Sequence, residues 1–194
     1  MSLSKMKLSG VQTLVVDDDQ YSTDLLLSML RGFGIDQPRV LKTAQDARSW
    51  LQSHDYDLVI CGVELPDAHG AELVEFIRHL SPPNKFAPII VLTSYSNMSN
   101  VTRVRDAGAH IVIKKPVSPR VLYDRIAWAA KSPRSFVETH SYVGPDRRFK
   151  FIGPPDGVGR RESDLSGDIG EATEPNLSQA EIDALMKPTR VVTA

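Results

Sequence analysis

Residues 57–70 read Asp57-Leu-Val-Ile-Cys-Gly62-Val-Glu64-Leu-Pro66-Asp-Ala-His-Gly70, and this stretch decides the fold. Four apolar residues run without alternation into a glycine and then into a turn that contains proline. Such runs are typical of strands that are buried on both faces of a sheet. The segment therefore predicts a central strand that ends where Gly62 meets the turn.

Four more apolar runs of similar length occur on either side of this strand. The stretches between them carry apolar residues at i, i+3 and i+4 spacing, which is typical of amphipathic helices. Five strands that alternate with five helices predict an α/β fold with a five-stranded parallel sheet, doubly wound by helices on both faces. The predicted strands are Thr13–Val16, Arg39–Lys42, Leu58–Cys61, Ile89–Thr93 and Ile111–Ile113.

Polar residues stand at the ends of several predicted strands. Asp17 and Asp18 follow the first strand, Thr93 ends the fourth, and Lys115 follows the fifth. Because ligands of such sheets bind outside the carboxyl ends of the strands, we expect these residues to converge with Gly62. Adjacent carboxylates suit Mg²⁺. The alternative is an acidic loop in which the third aspartate or the glutamine after it caps the next helix.

The order and spacing of these residues resemble the response regulator receiver domain, the CheY-like module, over residues 11–130. The resemblance implies a flavodoxin-like (βα)5 fold. It places the family's acidic pair on Asp17 and Asp18, its threonine or serine on Thr93, and its lysine before proline on Lys115.

In that family the phosphate-accepting aspartate lies four residues before the proline of the turn after strand 3, and here that position is Gly62. Glycine offers no carboxylate nucleophile, so we expect no phosphorylation at this position. Cys61 is expected on the opposite face of the strand as a small buried hydrophobe. Glu64 is the alternative acceptor, although the turn places it outside the line of attack.

The resemblance also predicts that the rest of the switch is weakened. With two carboxylates left of three, Asp17 and Asp18 would bind Mg²⁺ weakly if at all, and no other cofactor is expected. Lys115 is then expected to pair with Asp17. Receivers of this type often carry an aromatic reporter three residues before the lysine, and here that residue is Val112. We expect a pseudo-receiver that does not switch by phosphorylation.

An enzymatic interpretation starts from the same acidic run. Asp17-Asp18-Asp19 contains the Asp-x-Asp of haloacid-dehalogenase-type phosphatases, which use an aspartate nucleophile after strand 1. The downstream acidic metal motif of that mechanism is not visible in the sequence. We therefore expect a protein that is not an enzyme.

Composition excludes several classes of function. A net charge of -1 argues against a general nucleic-acid binder and against electrostatic docking to membranes, so neither DNA nor a membrane is an expected partner. No stretch approaches the roughly 18 apolar residues of a membrane span, and the start lacks a signal peptide's apolar run. The single cysteine fits a reducing compartment, so we expect a cytoplasmic protein.

The last third of the chain has a different composition. Residues 131–194 hold 6 of the 13 prolines and 6 of the 12 glycines, and apolar periodicity is lost. This predicts a mostly disordered tail, with an Arg/Gly/Pro-rich linker at 131–176 and a short amphipathic helix at 177–187. Ser178 and Glu181 have the spacing of a capping box. The apolar stripe of the helix consists of Ile182, Leu185 and Met186.

Residues 177–186 resemble the N-terminal peptide of the flagellar switch protein FliM, which docks on chemotaxis receivers. The alternative is a helix that folds back on this chain's own receiver, with the same three apolar anchors. The docking face usual in the resembled family would here include Arg103, Val112 and Tyr123. The expected partner is a receiver, a histidine kinase or a flagellar switch component, in bacterial two-component, chemotaxis or motility signalling.

Paired arginines mark the linker at Arg147, Arg148, Arg160 and Arg161. One interpretation is a solvated basic linker. The other is an anion site in which guanidinium groups bind phosphates and stack on bases. CheY-like proteins with arginine-rich tails that bind cyclic di-GMP form a class, so an effector of cyclic di-GMP is the alternative function.

Overall fold

The computed structural model describes residues 8–131, 135–139, 142–146 and 176–186. The first of these ranges alternates five strands with five helices. The strands are β1 (Thr13–Val16), β2 (Arg39–Leu41), β3 (Leu58–Gly62), β4 (Ile89–Thr93) and β5 (Ile111–Lys114). The helices are α1 (Gln20–Gly32), α2 (Ala44–Leu51), α3 (Gly70–Arg78), α4 (Met98–Asp106) and α5 (Pro119–Lys131). The predicted strand bounds agree with the structure to within one residue.

The five strands form one parallel sheet in the order β2-β1-β3-β4-β5. The predicted doubly wound α/β fold is therefore confirmed. This order puts β3 at the centre and leaves β5 at an edge, where, among the described residues, one side of its backbone has no neighbouring strand. An exposed strand edge presents free N–H and C=O groups, and proteins commonly cover such an edge.

Alternate residues of the buried strands feed two hydrophobic cores, one on each face of the sheet. Helices α1 and α5 cover one face, and helices α2, α3 and α4 cover the other. Along β5, Ile111 and Ile113 face the first core, whereas Val112 faces the second.

A short antiparallel hairpin follows α5, with strands β6 (Phe136–Glu138) and β7 (Val143–Pro145). The composition of residues 131–176 predicts no regular structure there, so the hairpin is a difference from the sequence-based expectation. It lies where Gly108 and Gly144 approach each other. A Cβ atom on Gly144 would lie 2.9 Å from the Cα of Gly108, so only glycine permits this approach.

The hairpin covers a buried cation, Arg78 at the end of α3. Its guanidinium donates hydrogen bonds of 2.9 Å to the Gly108 carbonyl and 3.0 Å to the Ala87 carbonyl. The ring of Phe136 in β6 lies 5.1 Å from the guanidinium carbon, within range of a cation–π contact. Burial lowers the pKa of Arg78 to about 9, which still leaves it charged at neutral pH.

One more helix, α6 (Gln179–Met186), packs beside α4 and β5 on the same face of the sheet as α2 to α4. Its start shows the predicted capping box, because Ser178 donates from its backbone N–H and its hydroxyl to the Glu181 carboxylate, each at 2.7 Å. Within the described ranges, every helix is too short or too polar to cross a membrane.

Candidate functional site

The carboxyl ends of β1, β3, β4 and β5 surround an open pocket of about 260 Å³, called here the strand-end pocket. It contains all of the strand-end residues that the sequence singles out. Lining it are Asp17, Asp18, Gly62, Thr93 and Lys115, together with Asp19, Glu64 and Tyr95. The fold thus brings the acidic pair, the hydroxyl, the lysine and the glycine to one place.

The charges of the strand-end pocket neutralise each other. Lys115 Nζ lies 2.6 Å from Asp17 Oδ2, and the Asp17 side chain is only 5% exposed. The other oxygen of that carboxylate accepts a hydrogen bond of 3.1 Å from the backbone N–H of Asp19. Both Asp17 oxygens therefore already hold donors from this chain.

The pocket suits a magnesium ion poorly. Asp17 is engaged as described, and Asp19 serves as the N-cap of α1, where its carboxylate accepts from the backbone N–H groups of Tyr21 and Ser22. The remaining carboxylate of the acidic run is that of Asp18, which is exposed. Across the described ranges, no group of three or more acidic, histidine or cysteine side chains is placed to hold a metal. Mg²⁺ prefers a near-octahedral set of oxygen ligands. The pocket offers two carboxylates towards such a set, and one of them is already ion-paired.

Glycine at position 62 is not required by the backbone. Among the described residues, the glycines with positive φ are Gly10, Gly34 and Gly108, so Gly62 has a conformation open to other residues. A Cβ atom built there would lie 3.7 Å from Asp17 Oδ2 and 3.3 Å from the Glu64 carbonyl oxygen. The second contact is tight but needs a shift of only a few tenths of an ångström. A side chain at this position would therefore enter the pocket beside Asp17.

The residues on either side of Gly62 differ in their access to the pocket. Cys61 is buried in the core beneath α2 to α4, as expected of a small hydrophobe. Burial raises the pKa of its thiol to about 12, and the charge of Asp17 adds to the shift. Its thiol is therefore neutral at physiological pH. Glu64 is exposed at the pocket rim, in the turn that pairs with His69.

The hydroxyl of Thr93 is engaged within its own turn. Thr93 Oγ1 donates to the Tyr95 carbonyl at 2.8 Å and accepts from the Tyr95 backbone N–H at 3.0 Å. This pair of bonds fixes the loop that joins β4 to α4. The same loop leads directly to the second candidate site.

That second site is the surface formed by α4, β5 and α5, called here the docking face, and α6 lies on it. Two side chains of α6 provide the apolar contact, because Ile182 is fully buried and Met186 is 8% exposed. Both join the core that contains Val112 of β5, and Leu185 packs against that core while remaining partly exposed. The three predicted anchors thus contact this chain's own domain, which is the fold-back arrangement that the sequence left as an alternative.

Gln179 binds the free edge of β5. Its Oε1 accepts a hydrogen bond of 2.8 Å from the Lys114 backbone N–H, and its Nε2 donates one of 3.1 Å to the Val112 carbonyl. One side-chain amide therefore satisfies a donor and an acceptor that a sixth strand would otherwise pair. The contact closes the sheet edge without adding a strand.

Further polar contacts fix both ends of α6. Leu177 donates its N–H to the Ser96 carbonyl, and Ser96 Oγ donates to the Leu177 carbonyl, each at 2.7 Å. In the middle of the helix, the guanidinium of Arg125 in α5 pairs with the carboxylate of Asp183, and near its end Arg105 donates to the Leu185 carbonyl at 3.3 Å. The docking face therefore contacts the segment from Leu177 onwards through both backbone and side-chain groups.

Two residues predicted for partner binding make contacts elsewhere within the domain. Arg103 pairs with Glu72 of α3 at 2.9 Å. The ring of Tyr123 packs edge-on against Phe33, with ring centroids 5.3 Å apart, between α5 and the end of α1. No local pattern in the sequence marks the other residues of this contact, which are Ser96, Arg105, Lys114 and Arg125 of the domain and Gln179 and Asp183 of the tail.

The paired arginines of the linker, Arg147, Arg148, Arg160 and Arg161, lie outside the described residues. Binding of cyclic di-GMP by them stays a prediction.

Residues 13–127 match the family described as the response regulator receiver domain. Response regulator protein PilR of Pseudomonas aeruginosa is 28% identical over 124 residues, which cover 64% of this chain and 27% of PilR. Transcriptional regulatory protein GltR of the same species is 36% identical over 123 residues, covering 62% of this chain and 49% of GltR. The chain thus spans about half or less of these curated relatives.

Solved structures give the same result for the fold. A putative response regulator from Chloroflexus aurantiacus J-10-fl is 30% identical with a TM-score of 0.59, and the match covers 63% of this chain and 98% of that one. A CheY-like response regulator receiver domain protein from Methanospirillum hungatei JF-1 is also 30% identical, with a TM-score of 0.55, and the match covers 60% of this chain and 90% of that one.

Proposed function

Because the chain belongs to the response regulator receiver domain family, we propose that it is a pseudo-receiver, a protein-interaction module of bacterial two-component signalling that does not switch by phosphorylation. The observation that carries the proposal is Gly62 at the end of β3. Phosphotransfer to a receiver needs a carboxylate nucleophile, and this position has no side chain.

The neighbours of Gly62 do not replace the missing group. The Cys61 thiol is buried and neutral, since its pKa is raised to about 12. Glu64 reaches only the rim of the strand-end pocket from the turn. Asp17 and Lys115 are held by each other, so the retained charges maintain the shape of the pocket rather than a reaction.

The interaction role is supported by the docking face. This surface already accommodates a short amphipathic helix through apolar, backbone and ionic contacts. A receiver without a phosphoryl input still has such a surface to offer to a protein. We infer a cytoplasmic partner in chemotaxis or motility signalling, either another receiver, a histidine kinase or a flagellar switch component.

Radiolabelled acetyl phosphate with Mg²⁺ tests the proposal. The wild-type chain should take up no acid-labile label. Gly62→Asp should take up label, because it adds a carboxylate to a pocket that retains Asp18, Thr93 and Lys115 and whose backbone admits a side chain. Gly62→Asn is the matched control, since it has nearly the same size without a nucleophile, and it should remain unlabelled. Acid-labile label on the wild-type receiver would overturn the proposal.

A further inference from the structure

The contact between the docking face and residues 177–186 is specific in both its apolar and its polar parts. Ile182 is fully buried against the core, and Gln179 bonds to both a donor and an acceptor of β5. Asp183 lies one helical turn after Gln179, accepts from its amide at 2.9 Å and pairs with Arg125. A Gln-x-x-Ile-Asp pattern on one helix face therefore fits this surface.

We propose that α6 is an intramolecular cap of the docking face, selected by Gln179, and that a partner's helix must displace it in order to bind. The inference rests on the proposed function, since it assigns the regulation of the surface through which the pseudo-receiver interacts. The occupant of the face in the isolated chain is its own tail. The partner that competes with it is an amphipathic helix with a carboxamide in its first turn.

The cap is separable from the domain that it covers. Its helix is eight residues long, a length that is marginal in water without a surface to pack on. Of its side chains only Ile182 and Met186 are buried in the core, whereas residues 8–131 supply the other buried residues of both clusters. Release of α6 would expose a groove but would leave the parallel sheet and its two cores in place.

Gln179 is the residue that sets specificity, because a carboxamide alone among side chains presents a donor and an acceptor side by side. Glutamate at this position would keep the acceptor for the Lys114 N–H but would place a second acceptor against the Val112 carbonyl. Alanine would leave both edge groups without the tail's amide. The strand edge thus distinguishes helices by one side chain in the first turn.

Fluorescence anisotropy with a labelled synthetic peptide of residues 176–186 tests the cap. The peptide is titrated with three full-length proteins: the wild type, Ile182→Asp and Ala184→Asp. In Ile182→Asp the protein's own α6 cannot pack on the docking face. Ala184→Asp is the matched control, since it adds the same charge at an exposed position of the same helix. Because tethering gives the cap a high local concentration, the peptide should bind Ile182→Asp at least about tenfold more tightly than the wild type or Ala184→Asp.

Two results would overturn the inference. If the wild type binds the peptide as tightly as Ile182→Asp does, the tail does not cover the face. If neither Ile182→Asp nor a second uncapped variant, Gln179→Ala in the full chain, binds the peptide, the face does not select this helix. Circular dichroism establishes that each variant is folded before it is titrated.

A second peptide tests the selectivity that we assign to Gln179. The peptide that carries Gln179→Glu should bind Ile182→Asp roughly tenfold more weakly than the original, because one edge hydrogen bond is replaced by a repulsive contact. Equal affinity of the two peptides would show that the amide does not select the helix, and that part of the inference would fall.

The mass of the wild-type chain in solution separates a cap in the same chain from exchange between two copies. Light scattering should give a monomer at all concentrations, and a dimer that disappears in Ile182→Asp would overturn capping within one chain. None of these measurements involves phosphoryl transfer. Failure of the cap would thus leave the labelling result of Gly62 unaffected, and label on the wild type would leave the cap intact.

Discussion

The strand-end pocket and the docking face share the end of β5, but different parts of the chain provide the partners of their polar groups. Lys115 points its ammonium into the pocket, where Asp17 of the same domain holds it at 2.6 Å. The backbone N–H of the neighbouring Lys114 donates a hydrogen bond to Gln179, which belongs to the tail. The charges of the pocket are therefore satisfied by groups of the domain itself, whereas the docking face is covered by a helix of the tail that can leave. This difference supports the proposal that a partner acts on the protein at the docking face.

The largest effect is expected from breaking the ion pair of the pocket. Lys115→Met leaves the Asp17 carboxylate, which is 5% exposed, without its cation. Removing one partner of a buried ion pair is strongly destabilising, and with Lys115 partly exposed we expect a loss of about 2–4 kcal/mol in the free energy of unfolding. Urea denaturation followed by circular dichroism measures it.

Two variants control that prediction. Adding Asp17→Asn to Lys115→Met removes the unpaired charge, so most of the loss should be recovered. Lys114→Met changes the neighbouring lysine, whose ammonium only reaches the Leu177 carbonyl at 3.4 Å, and should cost less than about 1 kcal/mol. Equal losses for the two lysines would contradict the contrast between a fixed pocket and a separable cap.

A smaller effect is expected from a larger side chain in the core beneath α6. Val112 is fully buried and shares its core with Ile182 and Met186. Val112→Tyr adds volume to a filled space, so we expect a loss of about 1–3 kcal/mol and release of α6. Hydrogen exchange of the peptide that contains residues 179–186 should become faster, while exchange in β1 and β3 stays slow.

The control for this prediction is Val112→Ile, which adds a single methylene group and should leave α6 protected. An unchanged exchange rate for residues 179–186 in Val112→Tyr would mean that the core beneath α6 accommodates the tyrosine ring without releasing the helix. In that case the small residue at position 112 and the position of the tail would be unrelated.

Much of the sheet could be predicted from the sequence because its determinants are local. Each strand is an apolar run, and the polar residue that follows it must lie at the same sheet edge as its equivalents. Asp17, Gly62, Thr93 and Lys115 therefore meet as expected. The sequence leaves open whether Asp19 or Gln20 caps α1, and only the hydrogen bonds to the start of the helix show that it is Asp19.

The remaining features depend on contacts that leave no periodic trace in the sequence. Arg78 resembles a surface arginine of an amphipathic helix until three carbonyls and the ring of Phe136 are seen around it. Gln179 bonds to Lys114 across 65 residues of sequence, through a backbone group that every residue possesses. Such contacts follow from the assembled edge of the sheet rather than from any local pattern.

The smallest effect is expected at the start of the cap. Hydrogen bonds from Ser178 hold the pKa of Glu181 below its ordinary value of 4.5, and the hydroxyl contributes more than the backbone N–H. A depressed pKa favours the charged form in the docked helix, so this contribution is present above pH 4.5 and is lost as the pH falls through the lower value. Ser178→Ala should raise the pKa of Glu181 towards 4.5, as measured by NMR titration of its side-chain carboxyl, whereas Ser178→Thr keeps the hydroxyl and should leave the pKa depressed. An identical pKa in the wild type and Ser178→Ala would mean that the capping box does not form in solution, and the start of the cap would then depend on Leu177 and Gln179 alone.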